Sequence, residues 1–127
     1  MLDIQFTDRQ LDIMNILWDR GSATVREAKD EIEEDLAYTS VLTVFQTLEE
    51  KGHVRHEREG KAYRYYPTVA RDEAGRNAVD YILDRIFRNS PSALVTSLVE
   101  QRDVSEEEAR ELTAVIESRR EAGTASG

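Results

Sequence analysis

The sequence has 127 residues, a net charge of −9 and no cysteine. This length fits one domain, or one small domain with an appended segment. The lack of cysteine excludes disulfides, thiolate metal sites and cysteine nucleophiles. No apolar run approaches the roughly 18 residues of a membrane span, and the start has no signal-peptide pattern, so we expect a cytoplasmic protein.

The charge is unevenly distributed along the chain. Residues 27–36 carry a local charge of −5 and residues 100–121 a local charge of −4, whereas residues 51–71 carry +4. A basic segment inside an acidic protein favours contact with an anionic partner such as nucleic acid. Chance clustering on a solvated surface is the alternative.

The first third of the chain predicts two helices. Thr7 begins a capping box, apolar residues follow it at helical spacing, and Gly21 marks the end of that helix. Thr24 begins a second capping box and a short helix. Residues 22–24 favour a brief extended segment between the two.

The third predicted helix, from Tyr38 to Lys51, has two different faces. One face is apolar, with Val41, Val44, Phe45 and Leu48. The opposite face carries Thr39, Leu42, Thr43, Gln46 and Thr47 and has no charge. Hydroxyl and amide groups beside a methyl suit the base edges of a DNA major groove. A helix covered by another part of the protein explains this face equally well.

Residues 54–67 predict a β-hairpin, because two alternating segments flank Gly60. Candidates for its core-facing side are Val54, Tyr63 and either Tyr65 or Tyr66. The cationic side chains around the turn are Arg55, Arg58, Lys61 and Arg64.

The remaining sequence predicts three more helices. The first covers residues 69–89, Ser90-Pro91 begins the second, and Ser105 caps the third. Their apolar positions are Val79, Ile82, Leu83, Ile86, Phe87, Leu94, Val95, Leu98, Val99, Leu112, Val115 and Ile116. This is more apolar surface than three such helices bury alone, which favours a homodimer.

The predicted fold is mostly α with a small β-hairpin (α+β): a winged helix-turn-helix domain followed by a helical dimerisation arm. We assign residues 1–69 to DNA binding, residues 70–121 to dimerisation, and residues 122–127 to a disordered tail. A two-fold dimer presents two third helices to a pseudo-palindromic site on double-stranded operator DNA.

Three segments carry a family resemblance. Leu11–Trp18, Leu36–Gly52 and Gly60–Pro67 resemble the BlaI/MecI/CopY penicillinase-repressor family. The resemblance covers about residues 4–69 closely, and residues 70–120 in length and helix pattern. It implies a homodimeric winged-helix repressor, often of β-lactamase or related resistance genes, with the third helix in the major groove and the wing on phosphates.

The resemblance also implies residue roles. For base reading it implies Tyr38, Thr39, Ser40 and Thr43, and the uncharged face of the third helix adds Leu42 to this set. The phosphate set is Arg55, His56, Arg58, Lys61 and Arg64. The dimerisation set is Val79, Ile82, Leu83, Ile86, Phe87, Leu94, Leu98, Leu112, Val115 and Ile116. Some relatives have basic residues at the positions of Thr39 and Leu42, so we expect a different operator here.

Two departures from the family concern its signals. Copper-responsive members have cysteine pairs near the C-terminus, and this chain has none. β-Lactam-responsive members are cut in the arm through a membrane-linked metalloprotease sensor, at an Asn-Phe pair before Val-Glu. The matching pair here is Ser97-Leu98, so cleavage by a sensor protease at this changed pair is an open expectation.

Other functions receive less support. No nucleophile–base set, Gly-rich phosphate loop or catalytic carboxylate pair is present, so we predict no enzyme and no cofactor. His53 and His56 are separated so that they point to different faces of an extended segment, and we predict no metal site. The alternative function is a winged-helix module for protein–protein interaction without DNA binding.

Overall fold

The computed structural model describes residues 6–126. Its elements in chain order are α1 (Asp8–Arg20), β1 (Ala23–Thr24), α2 (Val25–Glu31), α3 (Tyr38–Glu50), β2 (Val54–Glu59), β3 (Ala62–Pro67), α4 (Arg71–Arg85), α5 (Pro91–Gln101) and α6 (Glu106–Ser126). This order confirms the predicted helices and hairpin. The chain divides into two compact units, the first ending at Ile82 and the second beginning at Leu83.

Both capping boxes in the first unit are formed as predicted. The Thr7 hydroxyl accepts from the Gln10 backbone N–H at 3.2 Å, and the Gln10 side chain accepts from the Thr7 N–H at 3.0 Å. Thr24 and Glu27 make the same pair of bonds at 3.1 and 3.0 Å. Each box satisfies two backbone donors that a helix start leaves without partners, and so sets where α1 and α2 begin.

The sheet has three antiparallel strands in the order β1-β3-β2. The predicted extended segment is β1, and its Ala23 pairs with Tyr65 of β3. The predicted hairpin is β2 and β3, joined at Gly60, which has a φ of 62° that glycine adopts readily. The sheet therefore holds the hairpin against the segment that begins α2.

The core of the first unit lies between α1, α2, α3 and the sheet. Its largest fully buried side chains are Phe45, Ile13, Met14, Leu17, Leu48 and Val41. Tyr65 completes the core, with its ring centroid 4.5 Å from that of Phe45. The prediction for Tyr63 was wrong, because this side chain is 45% exposed while Tyr65 is 2% exposed. Tyr63 lies two residues nearer the turn on the same side of β3 and packs on His56 instead.

The second unit contains the end of α4, followed by α5 and α6. The Ser90 hydroxyl accepts from the Ala93 N–H at 3.1 Å, and the Ser105 hydroxyl accepts from the Glu108 N–H at 3.1 Å, so both predicted caps are present. None of the helices within residues 6–126 is both long and apolar enough to cross a membrane.

Several boundaries differ from the sequence prediction. α4 stops at Arg85 instead of continuing to residue 89, because Arg88 and Asn89 have positive φ angles of 52° and 60° that a right-handed helix does not accept. α6 continues to Ser126, so residues 122–126 are helical where the sequence predicted disorder. Adding a residue to an existing helix needs no new nucleation, and Ala122 and Ala125 favour it. Residues 1–5 of the predicted DNA-binding domain and Gly127 lie outside the described residues.

Candidate nucleic-acid interface

The outer face of α3 is exposed and uncharged. Tyr38 is 42% exposed, and Thr39, Ser40, Thr43 and Gln46 are exposed as well. The N-cap residue is Ala37, so no side chain caps the start of α3, unlike α1 and α2. The first turn of α3 therefore combines exposed hydroxyl groups with backbone N–H groups that no capping side chain occupies.

Thr43 lies at the middle of this face. Its Oγ1 donates to the Thr39 carbonyl at 2.9 Å, a common intrahelical bond of threonine. This bond uses the hydroxyl proton and leaves the hydroxyl lone pairs and the methyl group at the surface. Thr43 can therefore accept a hydrogen bond and offer an apolar contact at the same time.

Leu42 does not belong to this exposed face. It is half-buried and packs against the core of the first unit. Leu42 lies next to the apolar row of α3, which faces that core. Of the predicted base-reading residues, the structure therefore leaves four exposed and turns Leu42 inward.

The wing, defined here as residues 54–67, presents several cations with different surroundings. Arg55 pairs with Glu57 at 2.5 Å and lies over the Tyr66 ring, 4.4 Å from its centroid. Arg58 donates from Nε to the Gly60 carbonyl at 3.2 Å and has no ion pair within residues 6–126. Lys61 is exposed and also has no ion pair within that range. Arg58 and Lys61 thus remain available to an anion.

His56 ties the wing to α3. Its Nδ1 lies 2.6 Å from Oε2 of Glu49, near the end of α3, and its ring packs on Tyr63 with centroids 4.4 Å apart. These contacts orient β2 against the helix that carries the uncharged face.

Arg64 has all five of its guanidinium donors occupied. Nε donates to Glu59 at 2.9 Å, and Nη2 donates to Glu59 at 3.0 Å and to Glu27 at 3.3 Å. Nη1 donates to Glu27 at 3.1 Å and to the Ser22 hydroxyl at 3.2 Å. Only 20% of the side chain is exposed. Arg64 therefore joins the wing to α2 and to the segment before it, a role that sequence reasoning missed.

The charges of this cluster stabilise one another. The Thr24 backbone N–H, and then the Arg64 side chain, hold the pKa of Glu27 below its ordinary value. Hydrogen bonds from Arg64 likewise lower the pKa of Glu59, and the two carboxylates raise the pKa of Arg64 above its usual range. All three groups stay ionised at neutral pH, so the bridge is intact where a DNA-binding protein works.

Arg26 was also missed by sequence reasoning. It lies on α2, with its guanidinium 5.9 Å from the centroid of the Tyr38 ring, and has no ion pair within residues 6–126. Its signal in the sequence was weak, because it directly precedes the acidic segment of residues 27–36. The helix pairing of α2 with α3 brings it beside the uncharged face.

The predicted dimerisation residues are exposed or half-buried. In the first unit Val79 is exposed and Ile82 is half-buried. In the second unit the exposed members are Ile86, Leu98, Leu112, Val115 and Ile116, and the half-buried members are Leu83, Phe87 and Leu94. The predicted cleavage pair lies inside α5, where the Ser97 hydroxyl accepts from Gln101 at 3.1 Å. In the part of the chain that the structure describes, no group of three or more histidine and acidic side chains could hold a metal ion.

A three-helix unit with an antiparallel sheet, an uncharged outer face on α3 and a cationic hairpin defines a winged-helix DNA-binding domain. The chain belongs to the penicillinase repressor family, whose profile matches residues 6–118. This confirms the resemblance seen in the sequence and makes the chain a member of a family of transcriptional repressors.

Individual relatives agree with this assignment. The chain is 22% identical over 114 residues to the methicillin resistance regulatory protein MecI of Staphylococcus aureus (strain N315), covering 88% of this chain and 93% of the relative. It is 24% identical over 115 residues to the penicillinase repressor of Bacillus licheniformis, covering 89% and 90%. It is 41% identical over 69 residues to the transcriptional regulator BlaI of Mycobacterium tuberculosis, covering 52% and 50%.

A solved structure gives the same fold. The solution structure of the DNA-binding domain of the repressor BlaI matches with a TM-score of 0.50 and 25% identity, covering 57% of this chain and 93% of that domain. The matched share corresponds in size to the winged-helix part of the chain.

Proposed function

We propose that this chain is a homodimeric transcriptional repressor that reads a pseudo-palindromic operator with α3 in the major groove and contacts phosphates with its wing. The observation that carries the proposal is the exposed, uncharged face of α3 beside the unpaired cations of the wing. A solvated helix face ordinarily carries Glu, Lys and Arg. A face of hydroxyl and amide groups has instead the donors, acceptors and methyls that base edges recognise.

In this proposal Thr39, Ser40 and Thr43 face base edges, and Tyr38 lies at the edge of the groove. The uncapped first turn of α3 supports a further contact, because free backbone N–H groups at a helix start bind phosphate oxygens. Leu42 supports the helix from the core side and takes no part in base reading.

The phosphate contacts are assigned by availability. Arg58, Lys61 and Arg26 have no ion pair in the described chain, and we assign them to the backbone. Arg55 would have to break its ion pair with Glu57 to bind a phosphate, and His56 would have to leave Glu49. Arg64 has no donor left, which favours a positioning role in which it holds the wing at a fixed distance from α2.

The proposed dimer interface consists of exposed apolar residues of the second unit. Leu98 is 52% exposed and Ile116 is 55% exposed, which a lone chain leaves in water. Pairing two copies through this surface buries it and supplies the second reading helix that a pseudo-palindromic site needs.

The genes and the signal are proposed from the names of the relatives. Methicillin resistance and penicillinase regulation in the relatives favour β-lactamase or other resistance genes as targets.

Relief of repression by a membrane sensor protease would require a cut between Ser97 and Leu98. That peptide bond lies inside α5, so the helix would have to open locally before cleavage. Incubating the repressor with a matching sensor protease tests this step, and an intact chain would end the idea.

The first experiment is an unbiased selection of DNA fragments by the purified protein and by a Thr43→Ala variant. We expect the protein to enrich a two-fold symmetric sequence, and the variant to lose or change preference at one position in each half. Loss of one good base contact costs about 1–3 kcal/mol. Thr113→Ala is the matched control, because Thr113 makes the same intrahelical bond to Ala109 on α6.

Enrichment of nothing at low salt would overturn the operator proposal and leave the protein-interaction function. Equal enrichment by all three proteins would keep DNA binding but remove Thr43 from base reading.

The second experiment measures how the operator dissociation constant depends on salt. We expect Arg58→Ala and Lys61→Ala each to reduce the log–log slope by about 0.9, because each removes one phosphate contact. Arg110→Ala, an exposed site on α6, serves as the control. Arg64→Lys should lower affinity at every salt concentration, because lysine cannot form the five-donor bridge, whereas Arg58→Lys should bind almost normally. Equal behaviour of the two lysine variants would contradict the positioning role.

A further inference from the structure

A cavity of about 580 Å³ lies between α1 and the first turns of α4. All of its lining residues fall between Phe6 and Ile82, so it belongs to the first unit alone. None of them is on α3 or in the wing. A concave, mostly apolar space of this size is typical of small-molecule sites, which span about 300–1,000 Å³.

One wall of the cavity is aromatic and held in place. Trp18 donates from Nε1 to the Val69 carbonyl at 2.8 Å, and Phe6 packs edge-on against it with centroids 6.3 Å apart. Tyr81 of α4 adds a third aromatic ring to the lining. Because Trp18 is fixed by this hydrogen bond and by Phe6, the wall keeps its shape without an occupant.

The opposite wall is kept open by small residues of α4. Gly75 and Ala78 both line the cavity, and a Cβ placed on Gly75 meets no atom within 4 Å. Glycine inside a helix is less favourable than alanine. Gly75 therefore weakens α4 at a position where a larger side chain would enter empty space.

Arg71 lines the cavity and has hydrogen-bond donors that remain available to a ligand. Nη2 of Arg71 donates to Asp19 at 2.8 Å and to Asn15 at 3.2 Å. The guanidinium lies 5.3 Å from the centroid of the Trp18 ring. Its Nε and Nη1 have no hydrogen bond within residues 6–126, so they can donate to an acceptor on a ligand. The adjacent Asp19 carboxylate disfavours a full negative charge there.

We propose that this cavity binds an uncharged, largely aromatic small molecule with one hydrogen-bond acceptor that faces Arg71. The three aromatic rings favour flat rings over aliphatic chains, and the volume of this open cavity fits a single small molecule. A second copy of the chain is the other possible occupant. Among the residues assigned to dimerisation only Ile82 lines the cavity, and those of α5 and α6 do not.

The test uses 6-propionyl-2-dimethylaminonaphthalene (prodan), a neutral aromatic dye with a carbonyl acceptor whose emission rises and shifts to the blue in apolar surroundings. Trp18 is the only tryptophan of the chain, so energy transfer from tryptophan reports that the dye is bound, and the variants below locate the bound dye. We expect saturable quenching of tryptophan emission together with rising dye emission. Gly75→Leu should weaken dye binding at least tenfold by filling the cavity. Arg76→Leu, an exposed neighbour outside the lining, should bind the dye normally.

Three results would overturn the proposal: no saturable transfer in the unmodified protein, equal affinity in Gly75→Leu and Arg76→Leu, or dye affinity that falls as protein concentration rises. The last result would assign the cavity to a contact between copies. If Gly75→Leu does not fold, Gly75→Ala replaces it, with a smaller but measurable loss expected. The readout involves no DNA, so its failure is distinct from failure of the repressor proposal.

Discussion

The two compact units differ in where their apolar side chains lie. In the first unit Ile13, Phe45 and Leu48 are fully buried by the same chain. In the second unit no residue between 83 and 123 is buried, and Ile86 is 66% exposed. The first unit completes its own core, whereas the second leaves large apolar side chains at its surface.

Individual polar contacts of the chain differ in their range along the sequence. In the first unit Arg64 reaches Glu27, 37 residues away in sequence, and Ser22, 42 residues away. In the second unit Arg120 pairs with Glu117 in the neighbouring turn of α6. Long-range bridges fix the wing relative to the helices, while a bridge within one helix fixes nothing outside it. The bridge of Arg64 is of the first kind, and it holds the wing to α2 and to Ser22.

The largest effect is expected from Phe45→Ala. Removing this fully buried ring should lower the free energy of unfolding of the first unit by about 3–5 kcal/mol. The measurement is urea unfolding followed by the fluorescence of Trp18, which reports on the first unit only. If the first core is complete in one chain, the loss is the same at low and high protein concentration. A loss that shrinks with concentration would show that association supports this core too.

A smaller effect, of a different kind, is expected from Ile116→Asp. A charge on the exposed apolar surface of α6 should weaken dimerisation by at least about 2 kcal/mol, or roughly thirtyfold. Sedimentation equilibrium measures this change, while the unfolding of the first unit followed by Trp18 should stay the same. Arg110→Asp places the same acid at a charged position of α6 and serves as the control. An unchanged dissociation constant would remove α6 from the interface.

Sequence patterns predicted the parts of this fold that depend on neighbours in the chain. The capping boxes at Thr7 and Thr24 could be predicted because each forms between residues only three positions apart in the sequence. The apolar row of α3 predicted its buried face, since helical periodicity sets which side chains share a side. The uncharged opposite face followed from the same geometry.

Sequence patterns could not predict contacts between distant segments. Arg64 looked like any other cation of the wing, and only the folded chain places Glu27 and Glu59 around it. Leu42 lies between the two faces of α3 in the helical pattern, so its half-buried position depends on packing that the sequence does not show. Tyr63 and Tyr65 occupy equivalent positions in the alternating pattern, and only the folded chain shows that Tyr65 packs on Phe45 while Tyr63 is exposed.

The smallest expected effect tests the long-range bridge through its pH dependence. Glu27 and Glu59 have pKa values below the ordinary 4.5, held there by the Thr24 N–H and by Arg64. The stability that they contribute is therefore complete above about pH 4.5 and is lost as the pH falls through the lowered values. Arg64→Met should bring both pKa values closer to the ordinary one.

In Arg64→Met we accordingly expect the free energy of unfolding to fall less steeply below pH 4.5 than in the unmodified protein. Part of the slope should remain, because the Thr24 N–H still holds Glu27. Arg76→Met removes the same charge at an exposed site and should keep the original slope, so the general effect of net charge is subtracted. Urea unfolding followed by Trp18 between pH 3 and 7 measures all three proteins. Parallel curves for the two variants would mean that the bridge contributes nothing to holding the wing, and the positioning role of Arg64 would then be wrong.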